Sequence, residues 1–328
     1  MKAEILVGDV RSRLAEIPDK SVQCVVTSPP YWGLRDYGND GQIGLEQTPQ
    51  EYITEMVSVF REVWRVLSDD GVLWLNLGDS YASFRDGKAI PDTARGENKG
   101  TLVPKGSAAN RMAGSFATTN IKHKDLVGIP WRVAFALQDD GWYLRQDIIW
   151  AKPNPMPESV RDRCTKSHEY IFMLTKSSRY FFDNEAIKEL SVSYNPKHQQ
   201  KSTINNIVGN MSDRGVTRTT EGLNLKTQAE KTKEFRNRRD VWFIPTKPFK
   251  GAHFAVMPEA IVEPCVLASS RTGDTVLDPF TGSGTVAVVA LRHGRNYVGT
   301  ELNPEYAEIA KNRITEAVGG LINDVVLS

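Results

Sequence analysis

The sequence predicts an α/β fold, and three observations predict it. Short apolar runs of strand length alternate with amphipathic helical patterns in the first ninety and last eighty residues. Turn residues close several of those runs, at Gly8-Asp9, Ser28-Pro29-Pro30 and Asp278-Pro279. The composition, 40% hydrophobic and 25% charged over 328 residues, is that of a soluble globular chain of one large or two ordinary domains. Strands separated by helices imply a parallel sheet with helices on its faces.

The elements follow in order. Ile5-Leu6-Val7 is the first strand and Val22 to Thr27 the second. Tyr52, Ile53, Met56, Val57, Phe60, Val63, Trp64 and Leu67 recur at three- and four-residue spacing, which predicts a long amphipathic helix. Asp69-Asp70-Gly71 ends it, and Val72 to Leu77 is the next buried strand. Ser83–Lys124 lacks apolar periodicity and reads as a long loop or insertion. Then come a helix over 128–138, a strand over 142–150, the proline-rich Lys152–Pro157 and a strand over 168–175. Ser191–Asp240 is polar again. Helix 258–270, strand 275–278, helix 285–293, strand 296–300 and helix 304–317 restore the rhythm, and no internal repeat is present.

The total charge of +1 hides an asymmetry. Ser191–Asp240 carries ten Lys plus Arg against five Asp plus Glu, a net of +5, and Tyr81–Asp125 carries eight against four, a net of +4. The remainder is therefore −8. Two basic segments on an acidic body suit a phosphate backbone, and Arg236, Arg238 and Arg239 are the expected phosphate contacts. Three scattered cysteines and five scattered histidines form no disulfide framework and no metal-ligand spacing, so no metal is expected. No apolar run reaches the ~18 residues of a membrane span, and Met1–Ile5 does not open a signal peptide. Pro91-Asp92 with Glu97-x-Lys99 is too compressed, and lacks the strand, for a nuclease centre.

Two motifs carry the chemistry. Asp278-Pro279-Phe280-Thr281-Gly282-Ser283-Gly284-Thr285 joins a strand to a helix, where glycines let backbone approach a ligand at the helix N-terminus. Glu301 ends the next strand, 17 residues beyond Gly284, and a carboxylate there accepts from ribose hydroxyls. No Gly-Lys-Ser/Thr follows, so this is not a phosphate loop; Ala287 leaves an NAD-dependent oxidoreductase open. Thr27-Ser28-Pro29-Pro30-Tyr31-Trp32 ends the second strand. Its prolines remove two donors and leave carbonyl oxygens. Ser28 Oγ and the Pro29 carbonyl can accept from an NH₂ group, with the Tyr31 ring beside them as a stacking surface.

The pair of motifs resembles the DNA amino-methyltransferases that use S-adenosyl-L-methionine. Catalytic motif first and cofactor motif last is the order of their β group. The resemblance covers most of the chain and implies a circularly permuted Rossmann-like methyltransferase sheet. It implies two halves, 1–190 with a basic insertion at about 83–124, and 241–328, separated by a target-recognition region over 191–240. Ser28, Pro29, Pro30 and Tyr31 would be catalytic. Asp9, Asp278, Pro279, Phe280, Gly282, Ser283, Gly284, Thr285 and Glu301 would hold the cofactor, Asp9 through its adenine. Ile148–Pro155 would flank the base pocket, and His253-Phe254-Ala255 with Pro258-Glu259 would start the cofactor half. Trp32 and Trp150 are further candidates for DNA contact, whereas Trp142 and Tyr143 suit the core.

Ser28 at the first motif position is more typical of N4-cytosine enzymes and Asp of N6-adenine enzymes, so N4 of cytosine is favoured over N6 of adenine. Pro264-Cys265 looks like the nucleophile pair of C5-cytosine enzymes but lies in a helical pattern and reads as core. Protein-glutamine methyltransferases carry Asn before the Pro-Pro-Tyr and put the cofactor motif first, unlike this chain. A DNA-binding protein without catalysis is the remaining alternative. Double-stranded DNA is the implied partner in the cytoplasm of a bacterial or phage-infected cell. The sequence leaves a cognate restriction endonuclease and a homodimer open.

Overall fold

The computed structural model describes residues 1–34, 36, 38–39, 41–82, 121–191, 235–246, 256–320 and 325–328. Most of both basic segments, the nuclease-like Pro91–Lys99 and His253-Phe254-Ala255 lie outside the described residues. The chain divides into two compact units, one formed by Met1–Asp183 with Asp240–Ser328 and the other by Asn184–Arg239.

The first unit is built on a sheet. Its strands are β1 (Ala3–Val7), β2 (Val22–Thr27), β3 (Leu67–Leu77), β4 (Tyr143–Ala151) and β5 (His168–Thr175). After β6 (Glu189–Leu190) and β7 (Phe235–Arg236) of the second unit come β8 (Val241–Phe243), β9 (Thr275–Asp278), β10 (Asn296–Glu301) and β11 (Val325–Leu327). The order across the sheet is β11-β1-β10-β9-β2-β3-β5-β4-β8. β2 and β9 are parallel neighbours, so their C-terminal loops emerge side by side although about 250 residues separate them. Ligands bind at such carboxyl ends in open α/β sheets.

The sheet is mixed rather than parallel throughout. β5 runs antiparallel to both β3 and β4. A parallel return needs a crossover element, and no helix stands between β4 and β5.

The helices are α1 (Val10–Leu14), α2 (Pro49–Val66), α3 (Ile129–Asp139), α4 (Glu259–Ser269), α5 (Thr285–Arg292) and α6 (Pro304–Val318). α2 starts at a capping box: the Thr48 side chain accepts from Glu51 N at 3.2 Å, and Glu51 Oε2 accepts from Thr48 N at 3.0 Å. α1 is not legible in the sequence, because five residues are too few to display a helical period. β3 starts at Leu67, so Asp69-Asp70-Gly71 lies inside a strand instead of ending α2. The β2–β3 register shifts between the Val22–Leu67 and Cys24–Val72 pairs, an irregularity that takes up the polar residues.

Both faces of the sheet are covered, and strand parity shows how. Val25, Leu73, Leu75 and Leu77 join one core cluster with Tyr52, Met56, Phe60 and Val63 of α2. Trp74 points the other way, where its Nε1 donates to Ser269 Oγ of α4 at 2.9 Å. Cys265 of α4 is fully enclosed on that second face, as a core residue should be. Trp142 is buried as well, but Tyr143 is 48% exposed, contrary to expectation, because it starts the β4 strand at the surface.

In the second unit, β6 and β7 pair antiparallel, Glu189 opposite Arg236 and Leu190 opposite Phe235. The two chain ends that leave the first unit for it are fixed to the sheet unit by backbone: Asp183 N donates to Ala268 O at 2.7 Å, and Ile149 N donates to Asp240 O at 2.8 Å. Among the described residues, no helix is long and apolar enough to cross a membrane.

Candidate active site

A cavity of about 720 Å³ opens at the carboxyl ends of β2 and β9. It is lined by Ser28, Pro29, Pro30 and Tyr31, and also by Asp278 to Ser283, Thr285 and Glu301. The two motifs, distant in sequence, therefore face one space. Gly8, Asp9, Asn76, Trp150, Lys152 and Glu169 complete much of the wall.

The β9 turn is held largely by backbone donors. Asp278 Oδ1 accepts from Thr27 Oγ1 at 2.7 Å and from Phe280 N at 3.0 Å. Thr27 precedes Ser28, so this bond ties the two motifs directly. Burial pushes the Asp278 carboxyl up to about 7 against those hydrogen bonds. Glu301 Oε2 accepts from Gly282 N at 2.8 Å, and Oε1 from Asn303 N at 3.0 Å. Burial raises its carboxyl too, opposed by the backbone donors. Arg313 Nη1 supports the turn from below, donating to Ser283 O at 3.0 Å and to Ser283 Oγ and Thr285 Oγ1 at 2.9 Å.

Gly284 does something other than expected. It caps α5 at φ +75°, and a Cβ there would meet Ile314 at 3.1 Å and Ala310 at 3.2 Å. Its glycine lets α5 pack on α6, and the residue is not part of the cavity wall. Asp9 does line the cavity, but Arg11 holds both its oxygens, at 2.9 and 2.6 Å, and Arg11 also donates to Glu55 at 2.8 Å. The Arg11 hydrogen bond keeps the Asp9 carboxyl below its usual range.

The loop after β2 is held by side chains. Tyr52 Oη donates to the Pro30 carbonyl at 2.9 Å. Tyr31 Oη donates to Glu169 Oε2 at 2.7 Å and lies 3.2 Å from Asn76 Oδ1; Ser28 Oγ donates to Tyr31 Oη at 3.3 Å. Asn76 Nδ2 donates to Tyr170 O at 3.1 Å, and Lys152 Nζ pairs with Glu169 Oε1. The Lys152 ammonium also sits 4.2 Å from the centre of the Trp150 ring. Burial and the neighbouring Glu169 carboxylate together push the Tyr31 phenol well above its usual range. Gly78 makes room for the ring: a Cβ there would stand 2.5 Å from Tyr31 Cε2.

Sequence reasoning misses Asn76, Gly78, Lys152 as an ion-pair partner, and Glu169. A signal exists for two of them. Asn76 interrupts the apolar run Val72–Leu77, and Glu169 stands just before the apolar run Ile171–Leu174 of β5; a buried polar group requires a partner. Trp150 lines the cavity, its Nε1 donating to Ile244 O at 2.7 Å. Trp32, expected at the DNA, is instead 2% exposed in the core, with Nε1 donating to Glu46 O at 3.0 Å. Of the three expected phosphate-contacting arginines, Arg236 and Arg239 both donate to Glu189 Oε1, at 2.9 and 2.8 Å.

The donor set fits S-adenosyl-L-methionine better than a dinucleotide. Among the described residues, the cavity wall carries the carboxyls of Asp9, Glu169 and Glu301, besides the partly neutral Asp278, against one ammonium, Lys152, and no arginine. Such a wall suits a cationic sulfonium with ribose hydroxyls and opposes a pyrophosphate. Glu301 at the end of β10 would be the ribose acceptor, and Phe280 with the Gly282 backbone would close the turn around the group. Among the described residues, no cluster of His, Cys, Asp and Glu could hold a metal ion.

Comparison with known proteins agrees. The DNA methylase model of the N6/N4 methyltransferase family matches residues 22–312. The Type II methyltransferase M.Cfr9I of Citrobacter freundii is 49% identical over 313 residues, covering 95% of this chain and 87% of the relative. M.SmaI of Serratia marcescens is 47% identical over 315 residues, covering 95% and 90%. The solved structure of a DNA modification methylase from Thermus thermophilus, in complex with S-adenosyl-L-methionine, superposes with a TM-score of 0.59 at 25% identity, covering 100% of this chain and 98% of that one. The cytosine-N4-specific PvuII DNA methyltransferase shares the fold, with a TM-score of 0.60 at 17% identity over 100% and 95% of the two chains. The chain belongs to the N6/N4 DNA methylase family and is an S-adenosyl-L-methionine-dependent DNA amino-methyltransferase.

Proposed function

We propose that the protein methylates N4 of cytosine at a specific sequence in double-stranded DNA, acting on a base flipped out of the duplex. The observation that carries this reading is the cavity shared by the Ser28–Tyr31 loop and the Asp278–Thr285 turn. The preference for cytosine rests on Ser28, and N6 of adenine is the competing outcome of the same test.

S-adenosyl-L-methionine, when bound, supplies an electrophilic methyl group on sulfur. The chain's part is to place an amine in line with it. A conjugated amine is a weak nucleophile because its lone pair is delocalised into the ring. Ser28 Oγ and the Pro29 carbonyl accept its two N–H groups and favour a more tetrahedral nitrogen. The bond from Tyr52 to the Pro30 carbonyl keeps the loop in shape. Stacking on Tyr31 returns about 1–3 kcal/mol of the few kcal/mol that flipping costs, and Glu169 fixes that ring through its hydroxyl. Positioning and electrostatics carry the step, the methylated nitrogen then gives up one of its two protons to solvent, and no covalent intermediate is needed. Enclosed Cys265 takes no part.

The basic segments, about 83–124 and 191–240, are the proposed grips on DNA, with 191–240 as the target-recognition region and Arg236, Arg238 and Arg239 at phosphates. Charge reversal of the three arginines should weaken DNA binding and flatten its salt dependence; an unchanged salt slope counts against the contact. By likeness to the Type II relatives, a restriction endonuclease reading the same sequence is the implied partner; sedimentation tests the homodimer. The deciding experiment sequences modified bases in DNA from cells expressing the protein and separates N4-methylcytosine from N6-methyladenine by mass spectrometry of the digested DNA. Unmodified DNA would favour a protein that binds without catalysis.

A further inference from the structure

Two large apolar side chains of the cavity wall are exposed to solvent: Leu34 at 57% and Met156 at 84%. Wall residues this exposed stand at the rim. An unbranched thioether held out in water has no packing role in the free protein, and at a binding site it calls for a partner.

Met156 is presented on a stiff support. It sits in Lys152-Pro153-Asn154-Pro155-Met156-Pro157, whose three prolines each fix φ. Asn154 clamps the segment from both sides of its amide: Nδ2 donates to Thr246 O at 3.0 Å, and Oδ1 accepts from Thr246 N at 2.9 Å. Between Lys152 and Ser167, Lys152 is paired with Glu169, Arg163 with Glu158, and Lys166 donates to Asp79 O, while Arg161 is exposed and suited to a neighbouring phosphate. The result is an apolar tip on a rigid loop at the mouth of a cavity sized for a base and a cofactor.

We propose that Met156 is an intercalating wedge, which enters the base stack at the position vacated by the flipped nucleotide and holds the gap open. Apolar wedges including Met insert between base steps in this way in proteins that distort duplexes. The proposal rests on the flipped-base reading above. It divides the work: Tyr31 receives the base inside the cavity, while Met156 prevents its return to the stack.

The test uses the full chain, with Met156→Gly and Met156→Leu variants and the site identified by sequencing modified DNA. Two duplexes are compared, one with the target base correctly paired and one with it mispaired, since a mispaired base is cheaper to flip. Single-turnover methyl transfer from tritiated S-adenosyl-L-methionine is read on both. Met156→Gly should slow transfer on the paired duplex by about tenfold, or about 1.4 kcal/mol. It should recover on the mispaired duplex and bind the cofactor as the wild type does. Met156→Leu should stay close to the wild-type rate on both. An equal loss on both duplexes, or a full rate on the paired one, would overturn the wedge while leaving the methyltransferase reading intact. A wild-type protein that methylates neither duplex would overturn both.

Discussion

The turn after β9 and the loop after β2 line one cavity but are held by different kinds of bonds. Around the turn after β9, buried carboxylates accept mainly from backbone, Asp278 from Phe280 N and Glu301 from Gly282 N and Asn303 N, with Thr27 and Arg313 adding side-chain donors. Around the loop after β2, side chains from separate strands meet one another: Tyr31, Asn76 of β3, Lys152 just past β4 and Glu169 of β5. A backbone-held site depends on local sequence and tolerates many neighbours. A side-chain network depends on the register of several strands, and one truncation strands its partners.

The sharpest test of that contrast is pH. The Asp278 carboxyl is raised from an ordinary 3.8 to about 7, so the folded protein holds a proton there that the unfolded chain has released. Its contribution is fully present below about pH 4 and is lost as pH rises through 7, up to about 4 kcal/mol by linkage. Urea melts at steps between pH 4 and 8 should show this slope, and Asp278→Asn should flatten it. A wild-type profile with no fall across that range would mean the carboxyl is not held neutral by burial.

On the other side of the cavity, Glu169→Ala leaves the mostly buried Lys152 ammonium without its carboxylate. Loss of about 3 kcal/mol is expected from denaturant unfolding, with cofactor affinity little changed. If cofactor affinity collapses in step with stability, the two halves are not separable.

Two glycines then probe the halves in parallel. A Cβ at Gly299 would stand 2.2 Å from both Thr281 Oγ1 and Tyr297 Oη, under the cofactor turn. Gly299→Ala should lower stability by about 1–3 kcal/mol and weaken cofactor binding in equilibrium dialysis. Gly78→Ala should push the Tyr31 ring and slow methyl transfer by roughly tenfold while cofactor binding holds. The same pattern in both variants would remove the distinction. The smallest effect belongs to Cys265→Ala, which should keep its methylation rate at a modest cost in stability. Complete loss of activity in a folded, cofactor-binding Cys265→Ala protein would sink direct transfer.

Sequence and structure agree best where the information is local. The Asp278–Thr285 turn is legible because strand, glycines and helix follow one another within a few residues. Ser28–Tyr31 is legible because prolines restrict backbone wherever they occur. The Glu169 network is not, since it needs the antiparallel placement of β5 between β3 and β4, and periodicity says nothing about strand order. Gly284 escapes the sequence for a related reason: its neighbours Ala310 and Ile314 arrive from α6, a helix apart in the chain. Trp32 departs from its expected place because a motif locates a residue in the chain without saying which way its side chain turns.

The bonds at Asp183 and Asp240 have a consequence for how such enzymes diversify. They clip Asp183 and Asp240, the residues of the sheet unit that flank Asn184–Arg239, in place through main-chain atoms. Because those clips ask nothing of side-chain identity, and because closing a longer loop costs only about 0.6 kcal/mol per doubling of length, the intervening stretch is free to lengthen, shorten or be replaced wholesale. Substitution between the two anchors leaves these main-chain bonds of the sheet unit in place, much as a tool head is exchanged on a fixed shank.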